Sequence, residues 1–141
     1  MKRLLFIAAA LLALSMPAFA SAGFSCEADD KNVTKLSVGG ATPRSGGNLI
    51  NFGAELEIDG EKIVFRQSDV KRYFGEGGVI RVRVGARAGE RDYLVMVDAK
   101  RNPKDEDDWS GTYEVRYGPA AVPGKKTTPQ IRRGKVKCFV E

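Results

Sequence analysis

From Phe24 to the C-terminal end, apolar residues recur with a period of two over most of the chain, and no stretch holds a 3.6-residue apolar rhythm for long. Phe52, Ala54, Leu56 and Ile58 alternate with polar or small residues, Asp59-Gly60 follows, and Ile63 and Phe65 resume the pattern. Asp-Gly between alternating runs predicts a hairpin on a type I′ turn, because both central positions need positive φ. That register pairs Leu56 with Ile63 and Ala54 with Phe65 on the buried face, and Glu57 with Lys62 on the other. Ser68 to Phe74 lacks the alternation and reads as a single helical turn or irregular crossover, with Ser68 as its cap and Gly75-Glu76-Gly77-Gly78 as its end.

The clearest alternation follows. Ile80, Val82, Val84 and Ala86 are interleaved with Arg81, Arg83, Gly85 and Arg87, and a turn around Ala88-Gly89 leads into Tyr93 to Val97. A two-residue turn sets Arg87 against Glu90, and a three-residue turn sets it against Arg91. Opposite charges favour the first by a few tenths to about 1 kcal/mol. Leu94 and Met96 then share a face with the arginines. Arg101 to Asp108 is read as a polar loop, and Trp109 to Tyr117 as a half-buried strand. Gly118 to Gln130, with three prolines and two glycines, is a long loop. Lys135 to Val140 is a last strand with Val136, Cys138 and Val140 inward. Phe24, Cys26 and Ala28 make a matching first strand, and Val33 to Val38 a less regular second.

About eight short strands joined by moderate connections predict an all-β domain, a small antiparallel β-barrel or β-sandwich. The only two cysteines, Cys26 and Cys138, lie on its first and last strands. In an exported chain an even count favours a disulfide over two free thiols. The bridge makes the terminal strands neighbours, as closing an up-and-down barrel requires, and this favours the barrel. Closing a loop of over 100 residues is worth about 4–5 kcal/mol in the chain-entropy model.

Export is read from the first twenty residues. Lys2 and Arg3 precede an apolar run from Leu4 to Leu14, and Ala18-Phe19-Ala20 gives the small-x-small pattern of a cleavage site. The run is too short to span a bilayer. The tripeptide Gly23-Phe24-Ser25 before Cys26 does not fit a lipoprotein signal. The expected division is residues 1–20 as a cleaved secretory signal peptide, with Ala22 as the alternative cut, and 21–141 as a single all-β domain, periplasmic or secreted. Losing Lys2 and Arg3 reduces the net charge of +5 to +3. That excess is too mild to point to nucleic acid. No transmembrane anchor is expected in the mature chain.

Histidine is absent, which removes the commonest general base and transition-metal ligand. With both cysteines bridged, thiol nucleophiles and thiolate metal sites go too, and no cofactor or metal site is expected. No G-x-S-x-G or S-x-x-K pattern supports a serine nucleophile. Gly75 to Gly78 lacks the Lys-Ser/Thr pair of a phosphate loop. Asp105-Glu106-Asp107-Asp108 lacks the ligand spacing of a Ca²⁺ loop and reads as solvated. Trp109, Tyr113 and Tyr117 are a stacking platform if exposed, and core with satisfied polar tips if not. The binding candidates are Arg81, Arg83, Leu94 and Met96. Guanidinium groups interleaved with apolar side chains suit an anionic amphiphile, an acidic glycan or a protein partner, or else are a solvated surface with arginine stems lying over apolar neighbours.

A short exported β-barrel with one disulfide is similar in build to the small periplasmic lysozyme inhibitors. The likeness implies architecture alone. Their inhibitory loop motif is not found, since Ser110-Gly111-Thr112-Tyr113 falls inside a predicted strand and not on a protruding loop. The expected function is a non-enzymatic binding or interaction module of the bacterial envelope, with a protein partner such as a cell-wall hydrolase as one version. The alternatives are a carrier of a small apolar or amphiphilic ligand inside the barrel, against which bulky inward residues argue, and an enzyme built on a carboxylate pair.

Overall fold

Alternation becomes nine strands in a computed structural model that describes residues 21–43 and 48–141. The expected signal peptide, residues 1–20, lies outside the described residues, and the alternative cut after Ala22 falls within the first strand. The strands are β1 (Ser21–Ala28), β2 (Lys35–Pro43), β3 (Ile50–Ile58), β4 (Glu61–Arg66), β5 (Val70–Glu76), β6 (Val79–Ala88), β7 (Arg91–Asn102), β8 (Asp105–Pro119) and β9 (Gln130–Val140). A 3-10 turn at Gln67–Asp69 separates β4 from β5. One sheet runs in the order β4-β3-β2-β1-β9-β8-β7-β6-β5 and curls into a nearly closed antiparallel barrel. The barrel, and not the sandwich, is the architecture.

Every hydrogen-bonded pair in that order is antiparallel. Following the alternation from β1 in both directions gives β4 and β5 the same direction. They are therefore two halves of one staggered wall: β4 pairs with β3, β5 pairs with β6, and the 3-10 turn touches both neighbours. Nine strands thus occupy eight positions, which reconciles the count with the expected eight. Gln67 patches the seam. Its side-chain oxygen accepts from the Phe52 amide at 2.9 Å, and its nitrogen donates to the Leu49 carbonyl at 2.7 Å.

Cys26 and Cys138 face each other across β1 and β9 and form the disulfide. Both are fully buried. The bridge ties the terminal strands in the middle of the sheet order, and the seam falls half-way along the chain.

The β3–β4 hairpin has the expected register, with Leu56 opposite Ile63, Ala54 opposite Phe65 and Glu57 opposite Lys62. Positive φ at both Asp59 and Gly60 makes the turn type I′. The Lys62 ammonium nevertheless reaches diagonally to Glu55 at 3.0 Å, and Lys35 reaches the same carboxylate at 2.9 Å.

Three expectations are corrected. The β6–β7 turn is Gly89-Glu90, with Ala88 opposite Arg91, so Arg87 faces Asp92 and not Glu90. Arg87 holds Asp92 by two bonds, Nε to Oδ1 at 2.8 Å and an outer nitrogen to Oδ2 at 3.4 Å. Positive φ at Gly89 and not at Glu90 fits a type II′ turn, whose first central position suits glycine. Because the register slips by two, each side chain keeps its expected face. Of the stretch from Ser68 to Phe74, Ser68 and Asp69 do lie in a helical turn, the 3-10 turn Gln67–Asp69 with Arg66 and not Ser68 at its N-cap, but Val70 to Phe74 belong to β5 and are no crossover. The polar stretch from Arg101 to Asp108 shrinks to a turn at Pro103-Lys104, with the acidic cluster opening β8.

Inward residues from all nine strands make one core. Trp109, Tyr113 and Tyr117 belong to it, with Tyr113 only 1% exposed. The aromatic stripe is core, and its polar tips are satisfied: the Trp109 indole donates to the Glu106 carbonyl at 3.1 Å, and the phenols reach carboxylates at the rim.

Candidate basic groove on the outer face

The outward positions of β5 to β9 align into rows across the sheet. One row reads Arg72, Arg83, Met96, Glu114, Arg133. The next, towards the terminal end of the barrel, reads Phe74, Arg81, Asp98, Thr112, Lys135. On the other side lie Gly85, Leu94, Arg116 and Ile131. These rows exist because alternation sends the valines and tyrosines inward and leaves the intervening residues outside.

All four sequence-predicted candidates therefore sit on one outer face. Arg81, Arg83 and Met96 line a groove of about 480 Å³ together with Arg72, Asp98, Thr112, Glu114 and Arg133. Leu94 is on the same face, half-buried, one row beyond the groove. Six basic side chains (Arg72, Arg81, Arg83, Arg116, Arg133 and Lys135) stand against two carboxylates across the three rows. The opposite wall differs in character: on β2 to β4, Glu57 faces Lys35 and Lys62 in register and Glu55 takes both ammonium groups, two carboxylates against two lysines.

Both carboxylates of the groove are engaged. Asp98 takes Arg81 at 3.0 Å. Glu114 takes Arg133 at 2.6 Å and Arg116 as a second partner, and hydrogen bonds from Arg133 and then Arg116 hold its carboxyl below the ordinary glutamate range. Arg83 donates to the Met96 sulfur at 3.3 Å, a weak acceptor. Phe74, 44% exposed and opposite Arg81, adds an apolar flank.

Arg72, Glu114 and Arg133 were not singled out from the sequence. Arg72 joins the face only through a β-bulge between Val70 and Arg72, which has no sequence mark here. Arg133 precedes the stretch read as the last strand, and Gly134 and Arg132 interrupt the inward apolar pattern there. A search for alternation on the outward side, Ile131, Arg133, Lys135 and Lys137, would have extended it. Glu114 was legible as an outward position of the Trp109–Tyr117 strand, but not as a neighbour of Met96.

Elsewhere, the acidic cluster is engaged locally: Asp108 accepts from the Asn102 side chain at 3.0 Å and Asp105 from the Asp107 amide at 3.1 Å. Among the described residues no three or more acidic, histidine or cysteine side chains are grouped for a metal, and no helix is long and apolar enough to cross a membrane. No protein-family model, curated protein or solved structure matches the chain.

Proposed function

We propose that this chain is an exported, non-enzymatic interaction module of the cell envelope, whose basic groove on β5 to β9 holds an acidic surface of a protein partner. The observation that carries the proposal is the asymmetry of charge: the arginine excess is gathered on one face around Met96, while on the opposite wall Lys35 and Lys62 are balanced by Glu55 and Glu57. Charge complementarity of this kind steers encounter and fixes orientation. Side chains that project from paired strands are already ordered, so less freedom is lost on binding. The disulfide and the leader pattern favour an oxidising compartment, periplasmic or extracellular.

Catalysis is not part of the proposal. The Thr112 hydroxyl has no side-chain base bonded to it among the described residues, and both groove carboxylates are committed to arginines. A ligand carrier is also less favoured, because valines and aromatics that are almost fully buried fill the barrel interior.

Capture from an envelope extract tests the proposal. Substituting Arg81 and Arg83 together by Gln is expected to weaken retention of the partner on the order of tenfold, with the melting temperature preserved. Lys35→Gln/Lys62→Gln on the opposite wall is expected to retain it. Equal retention by all three proteins would reduce the groove to ordinary surface.

A further inference from the structure

The groove contains a like-charge pair that no carboxylate among the described residues bridges. The bulge in β5 sets Arg72 directly opposite Arg83 on β6, and like charges facing each other on neighbouring strands repel. Asp98 and Glu114, the two carboxylates nearby, are taken by Arg81, Arg116 and Arg133. Among the described residues no carboxylate lies within 4.0 Å of Arg72 or Arg83. Among the described residues, the Met96 sulfur is the one side-chain acceptor Arg83 reaches. Both guanidinium groups line the same groove.

Resting on the basic groove as the binding face, we infer that Arg72 and Arg83 form a clamp for a single oxyanion group, a carboxylate or a phosphate. Each guanidinium presents a planar fork that matches an oxyanion edge with two parallel hydrogen bonds. An anion between the two forks replaces their repulsion by two charge-assisted contacts. Arg81 and Arg133 are already neutralised by carboxylates, so they contribute orientation around the clamp and not the primary bonds. Met96 and Phe74 give the bound group an apolar flank.

Two probes distinguish the source of the oxyanion: inorganic phosphate, and an acetylated peptide of five glutamates. Each is titrated into the disulfide-bonded protein and compared with sodium chloride at equal ionic strength. At least one probe is expected to raise the melting temperature by about 3 °C or more near saturation. Tighter binding of phosphate identifies a phosphorylated ligand, and tighter binding of the peptide identifies acidic side chains of a protein. Arg72→Gln and Arg83→Gln are each expected to weaken the better probe on the order of tenfold. Each should also raise the melting temperature without anion, because the repulsion is gone. Lys104→Gln, at an exposed turn away from the groove, should change neither quantity. The clamp is refuted if neither probe acts beyond chloride, or if both arginine variants bind the better probe as the natural protein does. Arg72→Gln separates this inference from the function proposed above, which is tested at Arg81 and Arg83. Partner capture that survives Arg72→Gln and fails in Arg81→Gln/Arg83→Gln keeps the basic face and removes the clamp. Capture insensitive to Arg81→Gln/Arg83→Gln removes the face, and the probe titration still decides the clamp.

Discussion

The Tyr113 hydroxyl is shared between both carboxylate oxygens of Asp30, at 2.9 Å each, across 83 positions of sequence. It ties the loop between β1 and β2 to the barrel wall. The same carboxylate caps that loop by accepting from the Asn32 amide at 2.7 Å and the Val33 amide at 3.1 Å. Gly134 is the register partner of Tyr113, and a Cβ there would collide with the phenol ring and the Asp30 carboxylate. Tyr113→Phe is expected to lower stability by about 1 kcal/mol, and Gly134→Ala by more, since it displaces both partners. Urea unfolding measures both, and a Gly134→Ala protein as stable as the natural one would contradict the contact.

Acid stability follows from the same contact. Burial pushes the Asp30 carboxyl up, but the Asn32 amide, the Tyr113 hydroxyl, the Val33 amide and the Lys31 charge together hold it below the ordinary aspartate value. A carboxyl depressed in the folded state contributes stability above its unfolded pKa and loses it as pH falls through the folded one. The melting-temperature gap between the natural protein and Asp30→Asn should therefore be widest near neutrality and shrink below pH about 4. A gap constant from pH 7 to 2 would contradict this.

Alkali should unfold the barrel through its phenols. Burial raises Tyr73, Tyr93, Tyr113 and Tyr117, and the last three are raised further by Glu61, Asp30 and Asp59 respectively. A raised pKa contributes stability in full below the unfolded value and loses it as pH rises towards the folded one. Melting temperature is expected to hold to pH about 9.5 and drop steeply above pH about 10. Tyrosinate absorbance should appear together with unfolding, and Tyr113→Phe should show a shallower drop. Ordinary, non-cooperative titration of all four phenols in a still-folded protein would refute it.

The bridge between Cys26 and Cys138 spans a sequence separation of 112. Replacing both cysteines by Ala should lower the free energy of unfolding by about 2–5 kcal/mol. Denaturant unfolding of the two proteins gives the difference directly, and equal midpoints and slopes would remove the staple from the account.

Much of this barrel was legible because alternation and turn chemistry are local. Asp59-Gly60 dictated its hairpin, and the inward cysteines dictated that the terminal strands touch. The failures have physical causes. At the β6–β7 turn, charge alone allows either Glu90 or Asp92 as the partner of Arg87, and the demand of Gly89 for the first turn position decides between them. In β5 the bulge leaves Val70 and Tyr73 three residues apart, both packed on the core. That spacing resembles a helix and hid a strand. The arginine face was visible on the β6–β7 hairpin, where neighbours are close in sequence. Its completion by Arg72, Glu114 and Arg133 needed the order of the whole sheet and the bulge, which no local pattern carries.

The most direct test of the basic groove is to map where a partner sits. Labelled protein is mixed with the fraction that it retains from an envelope extract, and backbone amide shifts are followed by heteronuclear NMR. The account expects the largest changes at Arg72, Arg81, Arg83, Met96 and Arg133, fading as salt is raised, with Lys35, Glu55 and Lys62 unmoved. Changes centred on interior residues such as Val95 and Val115, or on the β2–β4 wall, would contradict it.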